Sequence, residues 1–143
     1  MVELKVYINK LSREGLNLLI IKNKKRLYAS KKDGMTPLLE AINLLGLPTL
    51  VGTTVIDKIV GKAAALLISY FKAKEVYTEL LSKSAIGVLE KHGITYKSGM
   101  VVENIRKKDG TDICPFEKMV LEIEDPKKGY EKLSRELTRQ RNC

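Results

Sequence analysis

The stretch Asp57-Lys58-Ile59-Val60-Gly61-Lys62-Ala63-Ala64-Ala65 decides the fold that we predict for this chain. Apolar residues from Val55 to Phe71 cover most of the circumference of a helix, and this pattern predicts a helix over residues 54–72. The remaining narrow polar stripe consists of Lys58, Lys62, Ser69 and Lys72. Gly61 lowers helix propensity by about 1 kcal/mol relative to alanine. Such a glycine indicates the close approach of a neighbouring backbone.

Strands and helices are predicted to alternate on both sides of this segment. Upstream, we predict a helix at 3–14, strands at 16–21 and 26–30, and a helix that begins with Thr36 as N-cap and Pro37 as first residue. Downstream, strands are predicted at 75–81, 94–97 and 101–105, and helices at 82–92, 114–123 and 126–140. This order is typical of an α/β sandwich with a mixed sheet and helices on both faces.

The bulk properties favour one globular domain. The chain has 143 residues, 44% of them hydrophobic, and we predict a single domain over residues 1–138 with a frayed tail at 139–143. No apolar run approaches the roughly 20 residues of a membrane span, and the first residues lack the pattern of a secretory signal. The two cysteines are too few for a disulfide framework or a cysteine zinc cluster. A reducing cytoplasm is the expected compartment.

The net charge of +9 raises the question of nucleic-acid binding. The basic residues are distributed over turns and solvated faces, and aromatic residues do not alternate with them as stacking platforms. The distribution therefore argues against nucleic acid as a partner. The many lysines and few glutamines are typical of proteins from heat-adapted organisms.

The segment from Tyr77 to Ile94 resembles the second zinc motif of the cytidine deaminase superfamily. In that motif a strand leads into Pro-Cys-x-x-Cys at the start of a helix, which often ends in a Gly-Ile turn. Alignment on Gly93-Ile94 assigns the two cysteine positions to Ser82 and Ala85. Upstream, the resemblance assigns Asp57 to a position near the third ligand and Ile59 to a position near the catalytic glutamate.

A narrower resemblance covers roughly residues 2–135. The chain looks like a small deaminase-like family that is known only as a domain of unknown function. The family motifs are an Asp followed by Val-Gly-Lys-Ala-Ala-Ala, a Ser-x-Ser-Ala helix start and a later Cys-Pro-x-Glu. In this sequence they correspond to Asp57 with Val60-Gly61-Lys62-Ala63-Ala64-Ala65, to Ser82-Lys83-Ser84-Ala85, and to Cys114-Pro115-Phe116-Glu117.

The resemblance implies a three-layer α/β/α sandwich of the cytidine deaminase type without its usual chemistry. Zinc deamination needs three thiolate or imidazole ligands, a metal-bound water and a carboxylate that transfers protons. Ser82, Ala85 and Ile59 cannot supply these groups. We therefore expect neither zinc nor another cofactor, and predict no metal-binding residue.

Asp57, Cys114 and Glu117 are the candidate catalytic residues. Asp57 follows Thr54 in a Thr-x-x-Asp capping arrangement, but it also lies beside the apolar face, where a partly desolvated carboxylate could be a base. Cys114, Pro115 and Glu117 fit an N-cap, a first helical residue and a capping-box glutamate. A thiol at a helix start also has a lowered pKa, which hints at reactivity.

Lys62, Ser82 and Ser84 are the candidate ligand-binding residues. Lys62 fits either a solvated lysine or a contact to a phosphate or carboxylate near Asp57. Ser82 and Ser84 fit hydroxyl caps of a helix, whose start is also an anion site.

Three functions follow from these residues. The favoured hypothesis is a protein that binds a nucleotide-like or other small molecule in the ancestral deaminase pocket. The second is a metal-independent or unconventional enzyme that uses Asp57, Lys62 and Cys114. The third is a non-catalytic oligomer or interaction module, which makes a homo-oligomer an expected assembly.

Overall fold

The computed structural model describes residues 2–137. Within this range the helices and strands follow one another in an α/β order. They are α1 (Val2–Glu14), β1 (Leu18–Lys22), β2 (Lys25–Ser30), α2 (Thr36–Leu45), α3 (Leu47–Leu50), β3 (Thr54–Val60), α4 (Lys62–Tyr70), β4 (Glu75–Ser82), α5 (Lys83–Lys91), β5 (Thr95–Val102), α6 (Pro115–Met119) and α7 (Pro126–Glu136). No helix of this range combines the length and the apolar character needed to cross a bilayer.

The five strands form one mixed sheet in the order β2-β1-β3-β4-β5. β1 is antiparallel to both β2 and β3. β3, β4 and β5 are parallel to one another. The predicted α/β class with a mixed sheet is confirmed, and β3 lies at its centre.

Helices cover the two faces of the sheet unequally. On one face, α1 buries Leu4 and Leu11 against Leu19, Ile56 and Tyr77. On the other face, α2, α4, α5, α6 and α7 contribute to a larger hydrophobic core. Burial of apolar surface stabilises both layers by about 25 cal/mol for each Å² removed from water.

The predicted helix over residues 54–72 is wrong in its first half. Residues Thr54–Val60 form the central strand β3, and only Lys62–Tyr70 form a helix. Five of the seven residues from Thr54 to Val60 are β-branched, and such side chains favour strands. A strand buried on both faces also reads as a continuous apolar run, so its pattern merges with that of α4. The polar stripe that includes Lys58 and Lys62 therefore does not exist.

Three other boundaries differ from the prediction. The strands predicted at 94–97 and 101–105 are one strand, β5. Gly99 of this strand allows close approach of β4, because a Cβ at that position would lie 3.0 Å from the carbonyl oxygen of Glu79. The helix predicted at 114–123 is confined to α6. Thr36 is the first residue of α2, and Met35 is its N-cap. The last residues of the helix predicted at 126–140, and the tail predicted at 139–143, lie outside the described residues.

Candidate functional site

A cavity of about 380 Å³ lies at the carboxyl end of β3, on the face covered by α2 and α4. Its wall combines the start of β1, the turn before α2, the end of β3, the segment after β5 and the start of α6. In α/β sheets, ligands bind in the crevice outside the carboxyl ends of the strands. Three of the predicted site residues line this cavity: Asp57, Cys114 and Glu117.

Asp57 is held at the centre of the sheet. In β3 it pairs with Leu18 of β1 on one side and with Thr78 of β4 on the other. Because side chains alternate along a strand, its carboxyl group faces the same side as Val55, toward α2 and α4. The capping interpretation of Thr54 and Asp57 is therefore wrong. The placement of Asp57 on a zinc-binding helix is also wrong.

The carboxyl group of Asp57 makes no hydrogen bond or ion pair with another side chain of residues 2–137. Desolvation raises its pKa to about 8, although the backbone amides of Ile59 and Lys58 partly oppose the rise. Such a group is mostly protonated at neutral pH. It can then donate one hydrogen bond and accept others within the cavity.

Glu117 lines the cavity and also caps the start of α4, although the two are far apart in the sequence. Its Oε1 accepts the N–H of Lys62 at 2.8 Å, and its Oε2 accepts the N–H of Ala63 at 3.0 Å. Burial raises the pKa of the Glu117 carboxyl, while these two amides and the Lys62 ammonium lower it. The predicted capping box with Cys114 is wrong, because Glu117 caps α4 instead of α6.

Gly61 makes this contact possible. A Cβ at position 61 would lie 2.6 Å from Cδ and from both carboxylate oxygens of Glu117. The predicted close approach at Gly61 is therefore present, but the approaching group is a carboxylate, not a backbone.

Cys114 is the N-cap residue of α6, without a side-chain capping bond. Its side chain is almost fully buried on the cavity wall. The sulfur is disulfide-bonded, and in that state it supplies no thiolate.

Basic side chains around the cavity were missed by the sequence analysis. Lys32 and Lys108 are engaged in ion pairs, with Glu40 at 2.8 Å and with Asp33 at 2.6 Å respectively. The other three, which make no ion pair among residues 2–137, are Lys58, Arg106 and Lys107. Lys58 was assigned to the polar stripe of the predicted helix, and the other basic residues were assigned to solvated surface, from which nothing in the sequence distinguished the cavity.

Comparison with known proteins identifies the family. Residues 6–137 match the family model described as TM1506, domain of unknown function DUF1893. The chain belongs to the DUF1893 family. It is similar to the crystal structure of a DUF1893 protein, TM1506 from Thermotoga maritima, with 29% identity and a TM-score of 0.84. The similarity covers 93% of this chain and 88% of that one.

No curated protein matches this DUF1893 chain. The predicted membership of a family of unknown function is thus confirmed. Neither the family match nor the structural match links the chain to the cytidine deaminases. The neighbouring structure comes from Thermotoga, but heat adaptation of this chain stays a prediction.

Lys62 of this DUF1893 protein is turned away from the cavity. Its Nζ donates to the carbonyl oxygen of Leu121 at 3.0 Å and to Oε2 of Glu124 at 2.7 Å. The side chain is only 9% exposed. The interpretation of Lys62 as a solvated lysine is therefore wrong, and this ion pair links the start of α4 to the segment between α6 and α7.

Ser82 and Ser84 lie at the neighbouring strand end, outside the cavity wall. Ser82 is the N-cap of α5, and its Oγ accepts the N–H of Ala85 at 3.2 Å. The hydroxyl oxygens of Ser82 and Ser84 are 3.2 Å apart. The capping interpretation of Ser82 is confirmed, and ligand binding by this pair stays a prediction.

Proposed function

We propose that this DUF1893 protein binds a small nucleotide-like molecule in the cavity around Asp57. The observation that carries the proposal is the carboxyl group of Asp57, which faces the cavity from the central strand with no side-chain partner among residues 2–137. A protonated carboxyl offers a donor and an acceptor side by side. The amide-like edge of a nucleobase offers the matching acceptor and donor.

The rest of the cavity supports a ligand with one apolar and one anionic part. Ile59, at the end of β3, keeps 41% of its surface exposed and lines the cavity together with Ile105. Large apolar side chains in a concave wall are typical of small-molecule sites. Arg106 and Lys107 supply cations for a phosphate group. Their position at the carboxyl edge of the sheet agrees with the proposed ligand class.

A thermal-shift and calorimetric screen tests the proposal. The probes are adenosine, guanosine, cytidine and uridine, each with its 5′-monophosphate. We expect at least one monophosphate to raise the melting temperature and to bind more tightly than its nucleoside. Asp57→Ala removes both the donor and the acceptor of this side chain, so it should weaken binding about tenfold or more.

Glu131→Gln is the matched control, because Glu131 is an exposed carboxylate on α7, remote from the cavity wall. Its affinity for the best probe should equal that of the parent protein. The proposal is wrong if no probe stabilises the protein, or if Asp57→Ala and Glu131→Gln bind the best probe equally well.

A second candidate function is acid–base catalysis in the same cavity. It is favoured by the pKa of about 8 for Asp57, since a general acid or base works best when its pKa is near the working pH. Asp57 would transfer the proton, and Cys114 would take part only as a reduced thiol. Turnover of a bound probe that follows the ionisation of Asp57, and that is lost in Asp57→Asn, would distinguish catalysis from binding alone.

We also propose a cytoplasmic location. The disulfide at Cys114 is compatible with that compartment in a hyperthermophile, where intracellular proteins keep disulfides. Assembly into a homo-oligomer stays a prediction, which the solution mass of the purified protein would test.

A further inference from the structure

A second cavity of about 280 Å³ lies at the same end of β3, on the opposite face of the sheet. Its walls are the last turns of α1, the segment that leads into β1, and the side chains of Lys58 and Glu79. Asn17 and Lys58 also line the first cavity. The carboxyl end of β3 therefore separates two concavities, one on each face.

Lys58 and Glu79 present opposite charges to this second cavity without neutralising each other. They lie on the neighbouring strands β3 and β4, between the paired positions Asp57–Thr78 and Ile59–Leu80. Alternation along each strand places Lys58 on the face of Ile56 and Glu79 on the face of Tyr77, both of which pack under α1. Opposite charges side by side in a sheet usually attract each other.

No ion pair joins these two groups. Neither the Lys58 ammonium nor the Glu79 carboxylate has an ion-pair partner or a side-chain hydrogen bond within residues 2–137. Each therefore remains available to an opposite charge on a ligand. A ligand with an ammonium and a carboxylate a few bonds apart would satisfy both.

Three apolar side chains share the rest of the wall with Ser12, Gly15 and Asn17. Leu11 and Leu16 are buried in the layer beneath α1, and Ile8 packs against the same layer. These three side chains also border the cavity. An aliphatic group of modest size can be buried there while its charged end stays at the sheet edge.

We propose that this second cavity is a binding site for a zwitterion, namely a free α-amino acid with an aliphatic side chain. Lys58 binds the carboxylate, Glu79 binds the ammonium, and Ile8, Leu11 and Leu16 contact the aliphatic group. The site is independent of the nucleotide-like ligand that is proposed for the opposite face.

Titration of the nitrogen-15-labelled full chain with L-leucine tests this proposal. We expect amide signals of Gly15, Leu16, Asn17 and Glu79 to shift in a saturable manner. L-Leucinamide lacks the carboxylate, and N-acetyl-L-leucine lacks the ammonium. Each should bind about tenfold or more weakly, the scale of a lost charge-assisted hydrogen bond.

Variants of the protein test which charged group of the ligand Glu79 binds. Glu79→Gln should weaken the binding of L-leucine about tenfold. It should leave the affinity for N-acetyl-L-leucine unchanged, because that probe has no ammonium for Glu79 to bind. Glu131→Gln should have no effect on either. Asp57→Ala should leave L-leucine binding intact although it weakens the nucleotide-like ligand, which separates the two sites.

Two results would overturn the proposal. One is the absence of saturable shifts up to about 20 mM L-leucine, a concentration that detects affinities near the millimolar range. The other is equal affinity for L-leucine, L-leucinamide and N-acetyl-L-leucine, because binding would then rest on the apolar wall alone.

Discussion

The carboxylate of Glu117 occupies the space into which a side chain at position 61 would extend. A Cβ on Gly61 would lie 2.6 Å from both carboxylate oxygens, well inside van der Waals contact. The same two oxygens accept the first amides of α4. The contact between Gly61 and Glu117 thus caps the start of the buried helix α4 and forms part of the cavity wall.

Gly61→Ala should destabilise the protein by about 2–4 kcal/mol, because the new methyl group displaces a buried carboxylate and leaves two helix amides unpaired. Urea unfolding followed by circular dichroism measures the effect. Gly87→Ala is the control: Gly87 is an exposed residue of α5 with no atom within 4 Å of an added Cβ. That variant should be more stable than the parent by about 0.5–1 kcal/mol.

The contact between Gly61 and Glu117 can also be tested as a pair. Glu117→Ala removes the cap and should destabilise the protein by about 1–3 kcal/mol. In that background, Gly61→Ala should cause little further loss, because the space has been vacated. Fully additive losses in the double variant would contradict the proposed steric conflict.

Asp57→Asn should change the dependence of stability on pH. The pKa of Asp57 is about 8 in the folded protein and near the ordinary value of 3.8 when unfolded. The folded state therefore holds the proton more tightly, and stability falls as pH rises from about 4 to about 8. The asparagine variant lacks this loss, so its stability relative to the parent should rise over that range by up to about 5 kcal/mol.

Chemical denaturation at pH 4, 6 and 8 measures this difference. Glu131→Gln, remote from the cavity, should follow the parent curve throughout. Parallel curves for Asp57→Asn and the parent would show that the Asp57 carboxyl ionises normally, and would remove the main support for the proposed acid–base role.

Ser82→Ala should lower stability by about 1 kcal/mol, the usual loss for an N-cap whose oxygen accepts a backbone amide. Ser84→Ala should lower stability much less, because among residues 2–137 the Ser84 hydroxyl forms a hydrogen bond only with that of Ser82. Thermal denaturation of both variants checks the order. Equal losses would mean that the two hydroxyls act as one unit.

Lys62→Met should destabilise the protein by about 1–2 kcal/mol. Methionine keeps the length of the buried stem but leaves the carbonyl oxygen of Leu121 without its donor. The partner Glu124 is 62% exposed and can be rehydrated, which limits the loss. Lys91→Met, an exposed lysine at the end of α5, should have almost no effect on the urea midpoint.

The elements that are bounded by turn residues could be predicted from the sequence, and the central strand could not. Gly15 and the Asn23-Lys24 turn separate α1, β1 and β2 clearly. Between Val60 and Lys62 there is no turn, because Gly61 adopts an extended conformation and leads straight into α4. An apolar pattern then extends across the boundary, since Val55, Ile56 and Val60 of β3 are buried and α4 is buried over most of its length.

The site was partly predictable for a similar reason. Asp57 and Glu117 are polar residues in apolar or helix-start contexts, so the local sequence pointed to them. Arg106 and Lys107 reach the cavity only because the segment after β5 returns across the sheet toward α2, where Lys108 pairs with Asp33. That return depends on contacts far apart in sequence, which composition and periodicity do not contain.

The unequal covering of the sheet has a consequence for synthesis of the protein. Helix α1 leaves the ribosome before β4, yet the surface that buries Leu4 and Leu11 includes Tyr77 of β4. The Tyr77 hydroxyl donates to Glu3, seventy-four positions earlier in the chain. Until β4 has emerged, the apolar side of α1 lacks its full partner surface, and during this interval the nascent chain is most exposed to chaperones and to aggregation.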